Sequence, residues 1–452
     1  MPTRSPGSTL VADQAGATAT SWRSPWPWLL AILPAAALGW WLTGGVWTRQ
    51  PPIVVGILHS RTGPSAAADR ALVDAETEAI EEIDRSGGLL GRRVRWVVAD
   101  GASDPTSFAR RAERLIREEK ADVIIGCSSA ANRRAVVPVV EAAEHLLLFP
   151  ARHEGIEESP GVVSLGPLPN QLVGPALAWC REALSARRFF IVGADDTWSR
   201  CAAAYATDQL SAMGATLVAE TSVVPAGTTD VSAAVRSIVS LQPDVVCCLL
   251  PGETAGPLLH RLREAGVRSA DVPVLLFAVD EEDLRTLPRD DVTGTYVAAG
   301  HFQGIDRPTT REFAVRVEAD RPASERVLSA REAVRLWGEA VRAAGTADPA
   351  AVRAAIRRQS NATAEGVVAV DPVTQHAWRN LTVGRIRPDG LVESVWTSDH
   401  PTRPVPYPVT RSRTEWVRFL AASERARADR RAVGAEPRTE AGDAPDGSGA
   451  MP

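Results

Sequence analysis

IVVGILHS, residues 53–60, is the stretch on which the fold turns. It is an unbroken apolar run of strand length that ends in polar residues, the pattern of a parallel strand buried on both faces. Working outward, Leu72, Ala75, Ala79, Ile80 and Ile83 recur at helical spacing and stop at Gly87-Gly88, a helix C-terminal signal. RVRWVVAD (93–100) is a second strand, after which Asp104-Pro105 supplies an N-cap and a proline at the first helical position. ADVIIGC (121–127), a helix over 131–144 and HLLLFP (145–150) complete a βαβαβαβ unit.

The same grammar then restarts. FFIVGAD (189–195), DVVCCLL (244–250) and VPVLLFAV (272–279) alternate with helical stretches near 198–213, 230–240 and 253–266. Helices over 309–321, 329–344 and 348–358 come next, then GVVAVD (366–371) and a hairpin turning at Arg387-Pro388-Asp389-Gly390. Two doubly wound α/β units in series predict two lobes, each built on a parallel sheet, with a hinge between them. In such sheets ligands bind beyond the carboxyl ends of the strands, which selects the loops after Ser60, Gly126, Phe149, Asp195, Leu250 and Val279.

Composition excludes several function classes. The formal net charge of -5 gives no basic field for nucleic acid, and none is expected as a partner. Lys120 is the chain's sole lysine and follows Glu119, so there is no Walker phosphate loop. Cys127, Cys180, Cys201, Cys247 and Cys248 show no CxxC and no histidine at ligand spacing, so neither a metal nor a cofactor is expected. Buried free thiols are the favoured reading of these cysteines, with a Cys180–Cys201 bridge left open. GxSxG, HExxH and GxGxxG are absent from the α/β region, and Asp280-Glu281-Glu282-Asp283 reads as the acidic first turn of a helix. A catalytic role is not expected.

WPWLLAILPAAALGWWLTGGVW (26–47) is uncharged, lies between Arg23 and Arg49, and is long enough for a ~30 Å hydrocarbon core. Its tryptophans cluster towards both ends. It is read as a transmembrane anchor in preference to a cleaved signal, with residues 1–25 cytoplasmic and the rest outside the inner membrane. The charged, then Gly-, Pro- and Ala-rich stretch over 421–452 is expected to be a disordered tail.

From about Ile53 to Leu420 the chain resembles the type 1 periplasmic binding proteins, in particular the urea-transporter binding protein and its amide-sensing relative. The likeness rests on GILHSRTGP (56–64), IIGCSSAANRRAVVPVVE (124–141), LLFPARHEG (147–155), GPLPNQ (166–171), HFQGIDRP (301–308), IRPDGLVESVW (386–396) and PTRPVPYP (401–408). It implies one lobe from 52–168 and 301–362, a second from 169–300 and 363–420, and a small nitrogenous solute such as urea or a short amide held between them. It also implies a permease and an ATPase as partners, or, for a membrane-held sensor, a separate signalling chain.

The candidate ligand residues are Ser60, Ser128, Ser129, Phe149, His153, Asp196, Trp198, Glu253 and Asp280. Ser128 and Ala130 stand where the family carries an aromatic and a hydroxyl, and Phe149, His153 and Asp196-Thr197-Trp198-Ser199 replace its tyrosine positions. Lost tyrosine hydroxyls, together with an acidic Asp196 and a flat Trp198, point to a ligand bearing an amine, amidine or guanidine.

Overall fold

The structure is a computed structural model that describes residues 50–225, 228–317 and 322–434. The anchor predicted at 26–47 lies outside the described residues, and among those described no helix is long and apolar enough to cross a membrane. The described residues from Pro52 onward form one compact unit.

The first lobe is a five-stranded parallel sheet in the order β2-β1-β3-β4-β5. Its strands are β1 (Ile53–His59), β2 (Val94–Asp100), β3 (Val123–Gly126), β4 (Leu147–Phe149) and β5 (Val162–Ser164). Between them run α1 (Ala66–Arg85), α2 (Pro105–Arg117) and α3 (Ala130–Ala142). The apolar run of β1 is buried on both faces: Ile53, Val55 and Ile57 join one core, Val54 and Leu58 the other. Strand side chains alternate between faces, so a run without polar interruption feeds two cores at once.

The second lobe repeats the scheme. After α4 (Pro169–Ala183) come β6 (Arg188–Ala194), α5 (Thr197–Ala212), β7 (Thr216–Leu217), β8 (Ser222–Val224), α6 (Ser232–Leu241), β9 (Val245–Leu249) and α7 (Gly252–Glu264). The lobe continues with β10 (Val274–Leu276), α8 (Glu281–Thr286), α9 (Arg289–Val292) and β11 (Tyr296–Ala299). Phe189 and Ile191 of β6 enter one core, Phe190 and Val192 the other.

Beyond α10 (Pro308–Arg316), the chain re-enters the first lobe with α11 (Glu325–Ala344) and α12 (Pro349–Ile356). Leu336, Trp337 and Val352 of these helices pack in the core that holds Ile53 and Ile57. The short strands β12 (Ser360–Ala362), β13 (Val367–Val370) and β14 (Ala377–Trp378) form a small third sheet. The predicted hairpin is β15 (Thr382–Ile386) with β16 (Val392–Thr397), which adds antiparallel strands to the second sheet beside β11.

Two boundaries differ from those expected. Val368, Val370 and Ala377 pack in the first lobe's core, so the last crossing between lobes falls after Trp378 and not at 363. The sequence expectation of disorder from 421 also fails over its first part, because α13 runs Arg413–Gly434. Trp416, Phe419 and Leu420 anchor that helix in the second lobe's core, which offsets a composition that is otherwise polar.

All five cysteines are free and buried, so no Cys180–Cys201 bridge forms.

Candidate functional site

In both lobes the strand order reverses next to the first strand: β1 lies between β2 and β3, and β6 lies between β7/β8 and β9. Loops leaving the two strands at such a reversal diverge and open a crevice. The loops after β1, β3, β6 and β9 accordingly line one cavity of about 480 Å³ between the lobes.

The first lobe presents hydrogen-bond donors there. Gly126 has φ +143, and a Cβ at that position would stand 2.1 Å from the Leu58 carbonyl oxygen, so only glycine lets β3 run this close to β1. Cys127 follows with φ +64, a left-handed conformation that turns the chain sharply towards Ser128 and Ser129. Ser129 caps α3, its Oγ accepting from Asn132 N–H at 3.2 Å, and the helix's first N–H groups lie at the cavity wall formed by Ser128, Ser129, Ala130 and Ala131. A helix N-terminus of this kind accepts a carboxylate. Arg152 lines the same wall, and its Nε is a buried donor with no acceptor among the described residues. Ser129→Ala is expected to lower the unfolding free energy by about 1 kcal/mol in urea denaturation through loss of the cap alone.

The second lobe presents acid and a ring. Asp196, Trp198 and Glu253 all line the cavity. Asp196 is partly committed to α5, because its carboxylate accepts from Ser199 N–H at 2.9 Å and from Ser199 Oγ at 2.8 Å. Burial raises its pKa above the ordinary value against those two bonds. The indole N–H of Trp198 has no acceptor among the described residues. Glu253, in the first turn of α7, is exposed and has no hydrogen-bond or ion-pair partner among the described residues.

Of the expected residues, Ser128, Ser129, Asp196, Trp198 and Glu253 are thus brought together, and four others are not. Ser60 is buried below the cavity, its N–H donating to Asp69 Oδ2 at 2.8 Å, and Asp69 is the residue that lines the cavity. Phe149 is fully buried with the Arg133 guanidinium 4.8 Å from its ring centre. His153 is buried against His376, its Nδ1 accepting from Gly155 N–H at 2.9 Å. Burial, with the Arg133 charge adding to it, holds His153 well below the ordinary histidine pKa. Asp280 is buried in an ion pair with Arg326 at 2.7 Å and caps α8. It touches the site through Arg326 and Asp283, which do line the cavity.

The physical reason for the Phe149 and His153 corrections is shared. Arg133 reaches from α3 to Glu154 at 2.6 Å and lies on the Phe149 ring, while His153 Nδ1 is 3.8 Å from the other Glu154 oxygen, so both rings are enclosed against this buried pair. Sequence reasoning passed over Arg152, Glu325, Arg326, Ser329 and Arg427, all at the cavity. Arg152 could have been found as the cation in the loop after Phe149; Arg427 lay in the supposed tail. Among the described residues no group of three or more His, Cys, Asp or Glu side chains could hold a metal ion.

Comparison with known proteins accords with this geometry. Residues 53–413 match the family described as periplasmic binding protein domain. A curated relative from Pseudomonas aeruginosa, an "Amino acid binding protein", is 24% identical over 230 residues, covering 48% of this chain and 58% of its own length. An amino acid ABC transporter substrate-binding protein from Pseudomonas fluorescens Pf-5 superposes with a TM-score of 0.71 at 17% identity, over 80% of this chain and 99% of that one. A Rhodopseudomonas palustris BisB5 solute-binding protein, solved with 3,4-dihydroxybenzoic acid, gives 0.72 at 19% identity, over 78% and 99%.

Proposed function

We propose, from the premise that this chain belongs to the periplasmic binding protein domain family, that it is the extracytoplasmic substrate-binding component of an ABC-type transporter. Its N-terminal segment is proposed as the membrane anchor, and a permease with its ATPase as the partners. Its solute is a small molecule that carries both a carboxylate and a cationic nitrogen, an amino acid or a close analogue. The observation that carries this reading is that the cavity offers donors and acids together: the α3 N–H groups, serines and Arg152 beside Asp69 and Glu325 from the first lobe, and Glu253 and Asp196 with the Trp198 face from the second.

The named ligands of the relatives, amino acids and a dihydroxybenzoate, share a carboxylate, which suits the N-terminus of α3. The acids Asp69, Asp196, Glu253, Asp283 and Glu325 outnumber the arginines Arg152, Arg326 and Arg427 at the cavity, which favours a solute with a positive nitrogen over an aromatic acid. Urea or a short amide would leave this charge unanswered, and unmatched buried polar groups cost about 1–3 kcal/mol each.

Calorimetric titration of residues 50–452 with L-arginine, L-glutamine, 4-hydroxybenzoate and urea tests the proposal. Binding of an amino acid is expected, and Glu253→Gln is expected to weaken it about tenfold, or about 1.4 kcal/mol. Heat from urea or 4-hydroxybenzoate, with none from either amino acid, would reject it.

A further inference from the structure

The family match ends at residue 413, where α13 begins. The helix is nevertheless firmly packed. Trp416 is 1% exposed and donates its indole N–H to the Pro408 carbonyl at 2.8 Å, while Phe419 and Leu420 extend the contact with the second lobe's core. The guanidinium of Arg411 lies 4.8 Å from the Trp416 ring and 5.2 Å from that of Phe419. The N-terminal part of the helix is therefore fixed to the second lobe.

Its charged residues reach elsewhere. Arg413 pairs with Glu158 of the first lobe at 3.0 Å, and Glu424 pairs with Arg134 on α3, also in the first lobe. Arg430 returns to the second lobe, bonding both oxygens of Asp195 at 2.9 and 3.1 Å where β6 ends. Between these two attachments Arg427 lines the cavity beside Asp196 and Thr197. Aligned in this order along one helix, the contacts join the lobes across the crevice mouth and place a cation at its edge.

We propose that α13 is a working part of the solute site, a strap that holds the two lobes together and supplies Arg427 as one wall of the cavity. The ion pairs from Glu424 and Arg413 reach the first lobe only while the lobes are together, so each of them favours the closed arrangement. Exposed pairs of this type are individually weak and screened by salt, which makes the strap releasable. It lets the lobes close and reopen without the solute providing all of the closing free energy.

The strap rests on the reading that this crevice is the solute site, but its test contains no solute, so the two can fail separately. Dyes on Arg117→Cys and Val239→Cys, exposed positions on α2 and α6, report the distance between lobes, and the buried native cysteines do not label. In residues 50–452, R413Q/E424Q/R427Q, which removes both inter-lobe pairs, is expected to reduce the closed population about fivefold and to shift the distances outward. Adding 0.5 M NaCl, on the order of a 4–5 Å screening length, is expected to open the unsubstituted protein but to change the triple variant little. A chain ending at Ala422 keeps the Trp416, Phe419 and Leu420 anchor and serves as the second variant, with circular dichroism melting confirming that both fold. Distance distributions for both variants that coincide with that of the unsubstituted protein would overturn the proposal.

Discussion

Arg379→Met is expected to lower the unfolding free energy by about 3–5 kcal/mol, the cost of removing one partner from a buried ion pair. Arg379 is 1% exposed and stands where the chain crosses between lobes for the last time. Its Nε donates to Glu365 Oε1 at 2.8 Å, its Nη2 binds the other oxygen of Glu365, and its Nη1 reaches Ser329 Oγ at 2.9 Å and the Leu165 carbonyl. Leu165 lies on the first crossing, Ser329 near the start of α11 beyond the second, and Arg379 itself on the third. One guanidinium therefore ties the first and third connections to the helix that follows the second, with donors in a fixed plane, which a lysine cannot reproduce.

Burial raises the Glu365 pKa, with Arg379 opposing it, so deleting the arginine leaves a carboxylate that must take a proton or drag in water. Urea denaturation followed by tryptophan fluorescence measures the loss. The double variant R379M/E365L is expected to recover much of it, because the penalty belongs to the orphaned charge and not to the missing attraction. A single variant within about 1 kcal/mol of the parent would show that the hub is not what holds the crossings together.

The strands were legible because parallel strands buried on both faces leave uninterrupted apolar runs, as in 53–60 and 244–250. The two-residue and three-residue strands β5, β7, β8 and β14 leave no such trace, since their pairing is decided by neighbours far along the chain. At the site, the rule of strand carboxyl ends selected the correct loops but not the side chains within them. Phe149 packs under the Arg133 guanidinium while Arg152 lines the crevice, and no local pattern encodes the Arg133–Glu154 contact, which spans 21 residues. Arg427 was hidden for a different reason: a polar helix tied down by three aromatic and aliphatic anchors has the composition of a disordered tail.

The acidic turn at the base of the crevice gives the second large effect, a stability that declines as the solution becomes alkaline. Asp280, Glu281, Glu282 and Asp283 open α8 beneath the second crossing. Glu281 accepts the Gln303 N–H with both oxygens at 3.1 Å, Glu282 accepts from Ser324 Oγ at 2.8 Å, and Arg326 holds Asp280. Burial opposes ionisation of Asp280, but the Arg326 charge prevails and lowers its pKa to about 2. Burial, with the Asp280 charge adding to it, raises Glu281 and Glu282 each to about 8.

Both glutamates thus keep a proton in the folded chain at a pH where the unfolded chain has released it. Their contribution is fully present below about pH 4.5, the ordinary glutamate value, and is lost as pH rises through about 8. Each unit of elevation corresponds to about 1.4 kcal/mol, so the pair accounts for several kcal/mol between pH 5 and pH 9. The E281Q/E282Q variant mimics the protonated pair and is expected to be less sensitive to pH over this interval, while matching the parent near pH 5. Urea unfolding at pH 5, 7 and 9 resolves the difference, and parallel pH profiles for the two proteins would refute the assignment. The crossings carry the same dependence, since Gln303 and Ser324 belong to the segment that joins the lobes. Alkaline solution is therefore expected to loosen the hinge before it unfolds either sheet.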